Sequence, residues 1–144
     1  MTTAELENLI QTQMPLARAM GVRIERADKE IVALNCVLRT NHNHIGTAFG
    51  GSLSALMILA AYCRVFIMMN GQGHVVIKKH SMEFLKPVKE DLRAICPPAS
   101  NQAAQDFLKS REKKGKARIN LVSEILLKDG SVACRMHGEF VALP

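Results

Sequence analysis

SLSALMILAAYCRVFIMM, residues 52–69, is the stretch that decides the fold of this chain. Arg64 is its only charged residue, and its apolar residues point to every side of a helix drawn through it. Such a helix is about 25 Å long. A helix that is apolar all round is expected to be buried all round. Residues 70–73, Asn-Gly-Gln-Gly, have the C-cap chemistry that ends it.

This core helix has to be distinguished from a membrane span. A spanning helix needs about 20 predominantly apolar residues. The uncharged segment, residues 45–63, contains several Gly, Ser and Thr residues, and its strongly apolar part, residues 53–63, is too short. The N-terminal stretch has no basic region followed by an apolar run, so it is not a secretory signal. We expect a cytoplasmic protein that does not associate with a membrane.

Shorter segments on both sides predict the sheet that surrounds the core helix. Residues 3–18 predict a first helix, which Pro15 interrupts after Met14. Residues 101–114 predict a short helix with a basic end, and Asp129-Gly130 predicts a type I′ hairpin turn. Six segments have the apolar runs or the alternation of strands: residues 22–25, 31–38, 74–88, 92–96, 117–127 and 132–140. This order predicts an α+β fold in which a long antiparallel sheet curls around the core helix.

Length and composition bound the class of protein. A chain of 144 residues predicts one domain, residues 1–144, on which the N-terminal helix, residues 1–20, packs. A hydrophobic fraction of 48% is too high for a disordered chain. With one Tyr, five Phe and no Trp, the chain has no platform on which bases could stack, so we expect no nucleic-acid partner.

Four cysteines lie in apolar segments, at Cys36, Cys63, Cys96 and Cys134. No two are close enough for a CxxC zinc motif, and four are too few for a disulfide scaffold. They are interpreted as small buried side chains in a reducing compartment. We expect neither a metal nor a cofactor.

Three short motifs carry a resemblance to a known family. The loop before the core helix, NHNHIGTAFGGSL at residues 41–53, resembles the loop of hot-dog fold thioesterases, in which Asn, two residues, Gly and two residues precede His-Gly-Gly. FLKPV, residues 84–88, resembles the aromatic-x-basic-Pro-Val strand end of that superfamily. Together with PLARAMGV, residues 15–22, these motifs stand in the same order as in the thioesterase domain found C-terminal to a GNAT-type acetyltransferase in some bacteria. Here that domain is expected to stand alone.

The resemblance implies a fold, an activity and an assembly. The fold is the hot-dog fold, with the sheet wrapped around the central helix. The activity is hydrolysis of an acyl-CoA or acyl-carrier-protein thioester in fatty acid metabolism. The assembly is a homodimer or a dimer of dimers, in which strands near residues 74–88 pair across an interface that also holds the site.

The Gly-Gly step supports a thioester site on physical grounds as well. The N-terminus of a helix presents unpaired N–H groups and a partial positive charge. Because Gly50 and Gly51 have no side chains, a carbonyl could approach these groups closely. Such a site would stabilise the oxyanion that develops when a thioester is attacked. The alternative is a glycine-rich turn that only lets the chain enter a buried helix.

Two positions depart from the family pattern. The best-understood members have an acid seven residues after the second Gly, where this chain has Ile58. The His of the His-Gly-Gly step is Phe49, a feature that the nearest relatives share. The general base is therefore not identified by the resemblance.

The predicted site has two groups of residues. The catalytic candidates are Asn43, Gly51, Ser52 and His80, and the substrate-binding candidates are Gly46, Phe49, Gly50 and Lys86. Asn43 would orient a water or the carbonyl, or else would only cap the loop in an Asx turn. Ser52 would take part in the reaction, or else would be the N-cap of the core helix. An imidazole side chain in general suits base chemistry near neutrality, which makes His80, His42 and His44 candidates, although a lone His is more often structural.

The net charge of +6 is concentrated in one segment. Residues 109–118 contain six Lys or Arg and a single acid, Glu112. Such a run is commonly a solvated helix end. The functional interpretation is attraction of coenzyme A or of an acidic acyl carrier protein, with Lys86 and Arg64 as further phosphate contacts.

Two other functions remain open. The chain could be a non-catalytic acyl-binding or interaction module that partners an acyltransferase in lipid metabolism, as Ile58 and Phe49 would favour. It could also be a hot-dog dehydratase or hydratase, but that chemistry needs a His facing an acid, and the core helix has no acid.

Overall fold

One antiparallel sheet and four helices make up the protein, whose computed structural model describes residues 1–144. The strands lie in the order β1-β2-β4-β5-β6-β3. The elements in chain order are α1 (Thr3–Gln13), α2 (Pro15–Met20), β1 (Arg23–Ala27), β2 (Val32–Cys36), a 3₁₀ turn (Leu38–Thr40), α3 (Gly50–Met68), β3 (His74–Phe84), β4 (Leu92–Cys96), α4 (Asn101–Lys114), β5 (Ala117–Leu126) and β6 (Val132–Leu143). Every predicted helix and strand is present, with ends that differ by a few residues.

Helix α3 is the core helix that the sequence predicts. It packs on all six strands, and the hydroxyl of Ser123 on β5 donates a 2.8 Å hydrogen bond to the carbonyl of Met57. Its length and its mean hydropathy of 1.7 would suffice for a membrane span, but 61% of that stretch is buried inside the fold. The prediction that α3 is buried on every side is wrong along one stripe. Ser54, Ile58 and Tyr62 are only half-buried, because the sheet and the N-terminal helices leave this side of α3 uncovered.

The N-terminal helices pack beside β1 and are separated where proline requires it. Met14 ends α1, and Pro15 takes the first position of α2, where its missing N–H costs no helical hydrogen bond. Leu6 and Ile10 are buried in the same core as α3. A carboxylate oxygen of Glu7 accepts a 2.7 Å hydrogen bond from the backbone N–H of Ile24, which ties α1 to β1.

Arg64 is a buried residue of α3, only 2% exposed, and it has no acidic partner. Its guanidinium donates hydrogen bonds to the backbone carbonyls of Asp28 and Lys29 in the β1–β2 turn, at 2.9 and 3.2 Å. It also donates a 2.8 Å hydrogen bond to the carbonyl of Cys96 at the end of β4. The interpretation of Arg64 as a phosphate contact is therefore wrong. Its donors are used by backbone carbonyls, and they hold the β1–β2 turn and the end of β4 against α3.

The β5–β6 hairpin turns differently from the prediction. A type I′ turn needs positive φ at both central residues, but only Gly130 has it, at 86°. The N–H of Leu127 donates to the carbonyl of Ser131, and the N–H of Gly130 donates to the carbonyl of Leu127, both at 2.9 Å. These bonds define a three-residue loop in which glycine occupies the left-handed position. The carboxylate of Asp129 accepts from the N–H of Ser131, which stabilises this longer loop.

Strand β3 is an edge of the sheet and is hydrogen-bonded only to β6. The register breaks between Ile77 and Lys79, so Lys78 forms a bulge. Beyond the bulge, His80, Met82 and Phe84 lie opposite Gly138, Met136 and Cys134, which face α3. Although they face inward, His80 and Phe84 are exposed, because nothing covers this part of the inner face.

Candidate active site

The N-terminus of α3 has three backbone N–H groups without partners. Phe49 is the N-cap residue, and its side chain cannot accept a hydrogen bond. The first intrahelical bond runs from the N–H of Leu53 to the carbonyl of Phe49, at 3.0 Å. The N–H groups of Gly50, Gly51 and Ser52 therefore donate to no protein atom. Together with the helix dipole, they form a local site of positive potential that can stabilise an oxyanion.

The loop before α3 is closed by its own hydrogen bonds, most of them from Asn43. The Oδ1 of Asn43 accepts from the N–H groups of Ile45 and Thr47, at 3.0 and 3.2 Å. Its Nδ2 donates to the hydroxyl of Thr47 at 2.8 Å. Gly46 has a φ of 86° within this turn, which a residue with a Cβ would adopt only with strain. Asn43 therefore stabilises the loop through an Asx turn, which is the structural alternative that its sequence position left open.

The three motifs that carry the family resemblance meet at this point. The Nδ2 of Asn41 donates a 2.9 Å hydrogen bond to the carbonyl of Met20 at the end of α2. The N–H of Ala48 donates a 2.8 Å hydrogen bond to the carbonyl of Val88. A Cβ placed on Gly50 would lie 3.7 Å from the ring of Phe84. The segments 15–22, 41–53 and 84–88 thus build one local structure around the start of α3.

Two phenylalanine rings flank the unpaired N–H groups. A Cβ placed on Gly51 would collide with the ring of Phe49, so glycine is needed at this position for the ring to lie where it does. The ring of Phe84 lies over Gly50 from the end of β3. Both residues are more than half exposed, at 55% and 56%. The two rings place apolar surface around a carbonyl bound at these N–H groups, which suits the acyl end of a thioester.

A cavity of about 320 Å³ opens beside these N–H groups. Its lining is mostly apolar and comes from α2, the 3₁₀ turn and the first turns of α3: Leu16, Ala19, Met20, Thr40, Asn41, Phe49, Gly51, Ser52 and Ala55. Because Gly51 and Ser52 belong to this lining, a carbonyl held at the helix N-terminus would have its hydrocarbon part beside the cavity.

The remaining predicted residues lie at different distances from the helix N-terminus. Ser52 lines the cavity, and its hydroxyl has no hydrogen bond and does not cap α3. His80 faces inward on β3, four residues before Phe84, which is about 13 Å along a strand. Lys86 follows the end of β3 and is exposed. The structure therefore brings together the glycines, Ser52 and Phe49, but it does not bring His80 or Lys86 against them.

Asn41 is a residue at this site that the sequence analysis did not select. It is 3% exposed, and its Nδ2 also donates to the carbonyl of Val37, at 2.8 Å. Its own carbonyl accepts from the N–H of Phe49, at 2.8 Å. It thus fixes both ends of the loop that presents α3. The only signal in the sequence is its place as the first Asn of the NHNH run, which does not separate it from Asn43.

None of the cysteines supplies a nucleophile. All four thiols are free and buried. Burial raises the pKa of Cys36 to about 12 and the pKa values of Cys96 and Cys134 to about 11, and it raises the pKa of Cys63 still further. The prediction that they are buried side chains is confirmed, and the reactive thiolate form is disfavoured at neutral pH.

Comparison with known proteins agrees with this geometry. Residues 3–144 match the family described as "Putative thioesterase (yiiD_Cterm)". A protein of unknown function from Chlorobaculum tepidum TLS is 26% identical, with a TM-score of 0.91 over 98% of this chain and 93% of that one. A structure described as a putative thioesterase from Shewanella oneidensis is 20% identical, with a TM-score of 0.86 over 99% and 97% of the two chains. Thioesterase HI1161 from Haemophilus influenzae is 14% identical, with a TM-score of 0.73 over 99% and 92%. These likenesses confirm the predicted α+β hot-dog fold.

Proposed function

This chain belongs to the thioesterase family that its residues 3–144 match, and from that premise we propose that it hydrolyses an acyl thioester at the N-terminus of α3. The observation that carries the proposal is the set of three unpaired N–H groups at Gly50, Gly51 and Ser52. The start of α3 is open to solvent at Gly51, so a ligand can replace water as the acceptor for these N–H groups. A thioester carbonyl is the acceptor that this family membership suggests.

In the proposed reaction, the carbonyl oxygen of the thioester accepts hydrogen bonds from these N–H groups. Water attacks the carbonyl carbon, and the negative charge that develops on the oxygen is stabilised by the N–H groups and by the helix dipole. The carbon–sulfur bond then breaks. The products are a carboxylic acid and a thiol, and the proton lost by the water is transferred to the departing sulfur.

The proton acceptor for the water is a separate part of the proposal. Ile58 occupies the position at which related proteins carry an acid, so α3 itself offers no base. Among the imidazoles, the Nδ1 of His42 lies 2.9 Å from the carbonyl of Asn43 in the loop. His80 faces inward on β3 but lies about 13 Å along the strand from Phe84 in one chain, so we propose it as the base only in the dimer proposed below. His80→Gln is expected to lower kcat by about 10²-fold or more, as the loss of a general base does, and an unchanged kcat would exclude His80 as the base.

For the substrate, we propose an acyl-CoA or an acyl carrier protein thioester. The cavity of about 320 Å³ beside Gly51 supports an aliphatic acyl group, because Leu16, Met20 and Ala55 form much of its wall. Its volume is at the lower end of the range for small-molecule sites. A short or medium acyl chain therefore fits this proposal better than a long one.

We also propose a homodimer that pairs through β3. This strand is 11 residues long, is hydrogen-bonded on one side only and exposes Val76 to 47%. Long unprotected edge strands are rare in monomers, because they present unpaired backbone groups to other chains. A second copy placed there would also approach the half-buried stripe of Ile58 and Tyr62 on α3.

The test of the proposed activity is an assay of the purified protein against acyl-CoA substrates of increasing chain length. Release of free thiol should show a maximum at short or medium chains. The same panel, loaded on acyl carrier protein, distinguishes the two carriers. If a folded dimer turned over none of these substrates, the proposed hydrolysis would be wrong.

A second candidate function is acyl binding without turnover. Two observations favour it: Phe49 and Ile58 are apolar where the best-understood hot-dog thioesterases carry a His and an acid. Equilibrium binding of acyl-CoA without any release of thiol would identify this function. Release of thiol above the uncatalysed rate would exclude it.

A further inference from the structure

The outer face of the sheet, away from α3, carries rows of polar residues. On neighbouring strands, Lys79 lies opposite Glu139, which lies opposite Asn120. In the next row Ser81 lies opposite His137. Their chain neighbours Leu121 and Gly138 are buried against the core, so these polar side chains point to the other side of the sheet. Apart from His80, which also borders the larger groove described below, this face contains no residue of the proposed hydrolysis.

A groove of about 310 Å³ at one end of this face is lined by four cations and no acid. The cations come from three elements and their connections: Lys78 at the β3 bulge, Lys114 at the end of α4, Lys116 before β5 and Arg118 on β5. Basic residues at the end of a helix are often explained by its dipole, and Lys114 fits that explanation. The dipole does not account for the other three, which lie outside the helix.

A single carboxylate, that of Glu139, lies near two of these cations and near Lys79 without neutralising them. One oxygen of Glu139 lies 4.0 Å from Lys78 Nζ and 3.7 Å from the guanidinium of Arg118, and the other lies 3.8 Å from Lys79 Nζ. Three positive charges therefore share one negative charge, at distances longer than direct charge-assisted hydrogen bonds. The bulge at Lys78 places it and its neighbour Lys79 near the same carboxylate. The groove keeps a net positive charge and free donors.

A second groove, of about 440 Å³, lies on the same face and shares no lining residue with the first. The two are adjacent at Glu139, which lines the second groove and lies 4.0 Å from Lys78 Nζ in the first. Besides the Lys79–Glu139 pair, the second groove offers the hydrogen-bonding side chains of Ser81, Asn120 and His137. Two adjacent grooves, one cationic and one mainly polar, match a ligand with a phosphorylated end and a hydrogen-bonding body.

We propose that this outer face binds a nucleotide, with its phosphoryl groups among Lys78, Lys114, Lys116 and Arg118 and its sugar and base along the polar groove. Lys and Arg are the side chains that bind phosphate in proteins. The site is separate from the helix N-terminus within one chain. Phe84 is six residues beyond Lys78 on β3, about 20 Å along the strand, and the two sites are on opposite faces of the sheet. The proposal does not depend on thioester hydrolysis.

Isothermal titration calorimetry of the full chain tests this site with three probes: adenosine 3′,5′-bisphosphate, inorganic pyrophosphate and adenosine. The bisphosphate should bind most tightly, because it alone fills both grooves, and adenosine least tightly. Raising the ionic strength from about 0.01 M to about 0.15 M should weaken the binding of both phosphorylated probes, because the Debye length falls from about 30 Å to about 8 Å.

The double variant Lys116→Gln/Arg118→Gln should lose at least about tenfold in affinity for the bisphosphate, since each lost charged hydrogen bond has that order of effect. All the changed side chains are exposed, so the fold should be kept, which a thermal melt verifies. The matched control is Lys89→Gln/Lys128→Gln, with the same charge change on exposed residues outside both grooves. It should bind as the parent does.

Three results would overturn the proposal. The first is no heat of binding from any phosphorylated probe. The second is equal affinity for pyrophosphate and the bisphosphate, which would leave the polar groove without a role. The third is an equal loss of affinity in the control variant, which would mean that net charge, and not this groove, attracts the probe.

Discussion

Helices α3 and α4 begin in opposite ways. At the start of α4, the hydroxyl of Ser100 accepts a 3.1 Å hydrogen bond from the N–H of Ala103. At the start of α3, the N-cap is Phe49, and the N–H groups of the next three residues have no partner. Helix α4 lies largely at the surface, with Phe107 as its only buried residue, whereas α3 is the core of the fold. The helix that forms the core of the fold therefore starts without the side-chain cap that the surface helix has.

This difference agrees with our proposal that the start of α3 is kept for a ligand and not for stability. A side-chain cap contributes about 1 kcal/mol. Helix α3 forgoes that contribution, and its glycines are poor helix formers. Its ten buried residues and the hydrogen bonds of Arg64 hold it in place instead.

The largest expected effect is on turnover, when one N–H group of α3 is removed. Proline is tolerated at the first position of a helix, and the N-cap residue Phe49 already has the extended conformation, with ψ 132°, that proline requires before it. Gly50→Pro should therefore fold, but it should lower kcat for the best acyl-CoA substrate by about 10²- to 10³-fold, as expected for the loss of an oxyanion donor.

The matched variant is Gly50→Ala, which keeps the N–H. Its Cβ would lie 3.7 Å from the Phe84 ring, an ordinary contact, so its turnover should stay within a few-fold of the parent. Equal losses of turnover in Gly50→Pro and Gly50→Ala would mean that the added side-chain atoms, and not the lost N–H, are responsible.

The second effect concerns what holds α3 in place without a cap. Arg64→Met should lower the free energy of unfolding by about 3 kcal/mol, because the carbonyls of Asp28, Lys29 and Cys96 lose their donors. Urea denaturation measures this change. The control is Arg93→Met, which breaks an ion pair with Glu25 at the surface and should cost less than about 1 kcal/mol. A stability for Arg64→Met equal to that of the parent would contradict this account of Arg64.

A smaller effect compares the two helix starts directly. Ser100→Ala should cost about 1 kcal/mol of stability, because it removes the cap of α4. Ser52→Ala should change stability by less than about 0.5 kcal/mol, because its hydroxyl makes no hydrogen bond. Chemical denaturation of both variants under the same conditions tests the contrast. Similar costs for the two would show that Ser52 caps α3 after all.

The smallest expected effect is a pH dependence of the stability, which comes from Asp28 in the β1–β2 turn. A hydrogen bond from the N–H of Ile31, helped by Arg26, lowers the pKa of Asp28 from its usual value near 3.8 to about 2. A lowered pKa in the folded state stabilises the protein above the unfolded-state pKa, and the gain disappears as the pH falls from about 4 to about 2. The parent should therefore be more stable than Asp28→Asn at about pH 5, and the difference should shrink towards pH 2. A difference that did not vary with pH would contradict this role of the carboxylate.

Local patterns predicted the secondary structure well, because each element is encoded by its own residues. The apolar stretch of α3, the Met14-Pro15 break and the basic end of α4 all appear where the sequence places them. The wrong predictions concern residues whose partners are distant in the sequence. Arg64 looked like a free cation, but its partners are carbonyls more than 30 residues away. The half-buried stripe of α3 depends on where the sheet stops curling, which no local pattern encodes.

The site was predictable in part, for the same reason. The glycines and Phe49 follow from the motif and the helix start. Asn43 was selected because it matches a family position, and whether it acts beyond shaping the loop stays a prediction. Asn41 was missed because its role depends on Met20 and Val37, which a sequence does not show to be adjacent.

The central claim is that the unpaired N–H groups of α3 receive a thioester carbonyl, and the amide NMR resonances report on this most directly. The probe is an acyl-CoA analogue in which a methylene separates the sulfur from a ketone carbonyl, so that it binds but cannot be hydrolysed. The account predicts that the amide protons of Gly50, Gly51 and Ser52 shift downfield as the analogue saturates, while the amide of Ala103, bonded to Ser100, stays in place. Saturation that leaves those three resonances unmoved would contradict it.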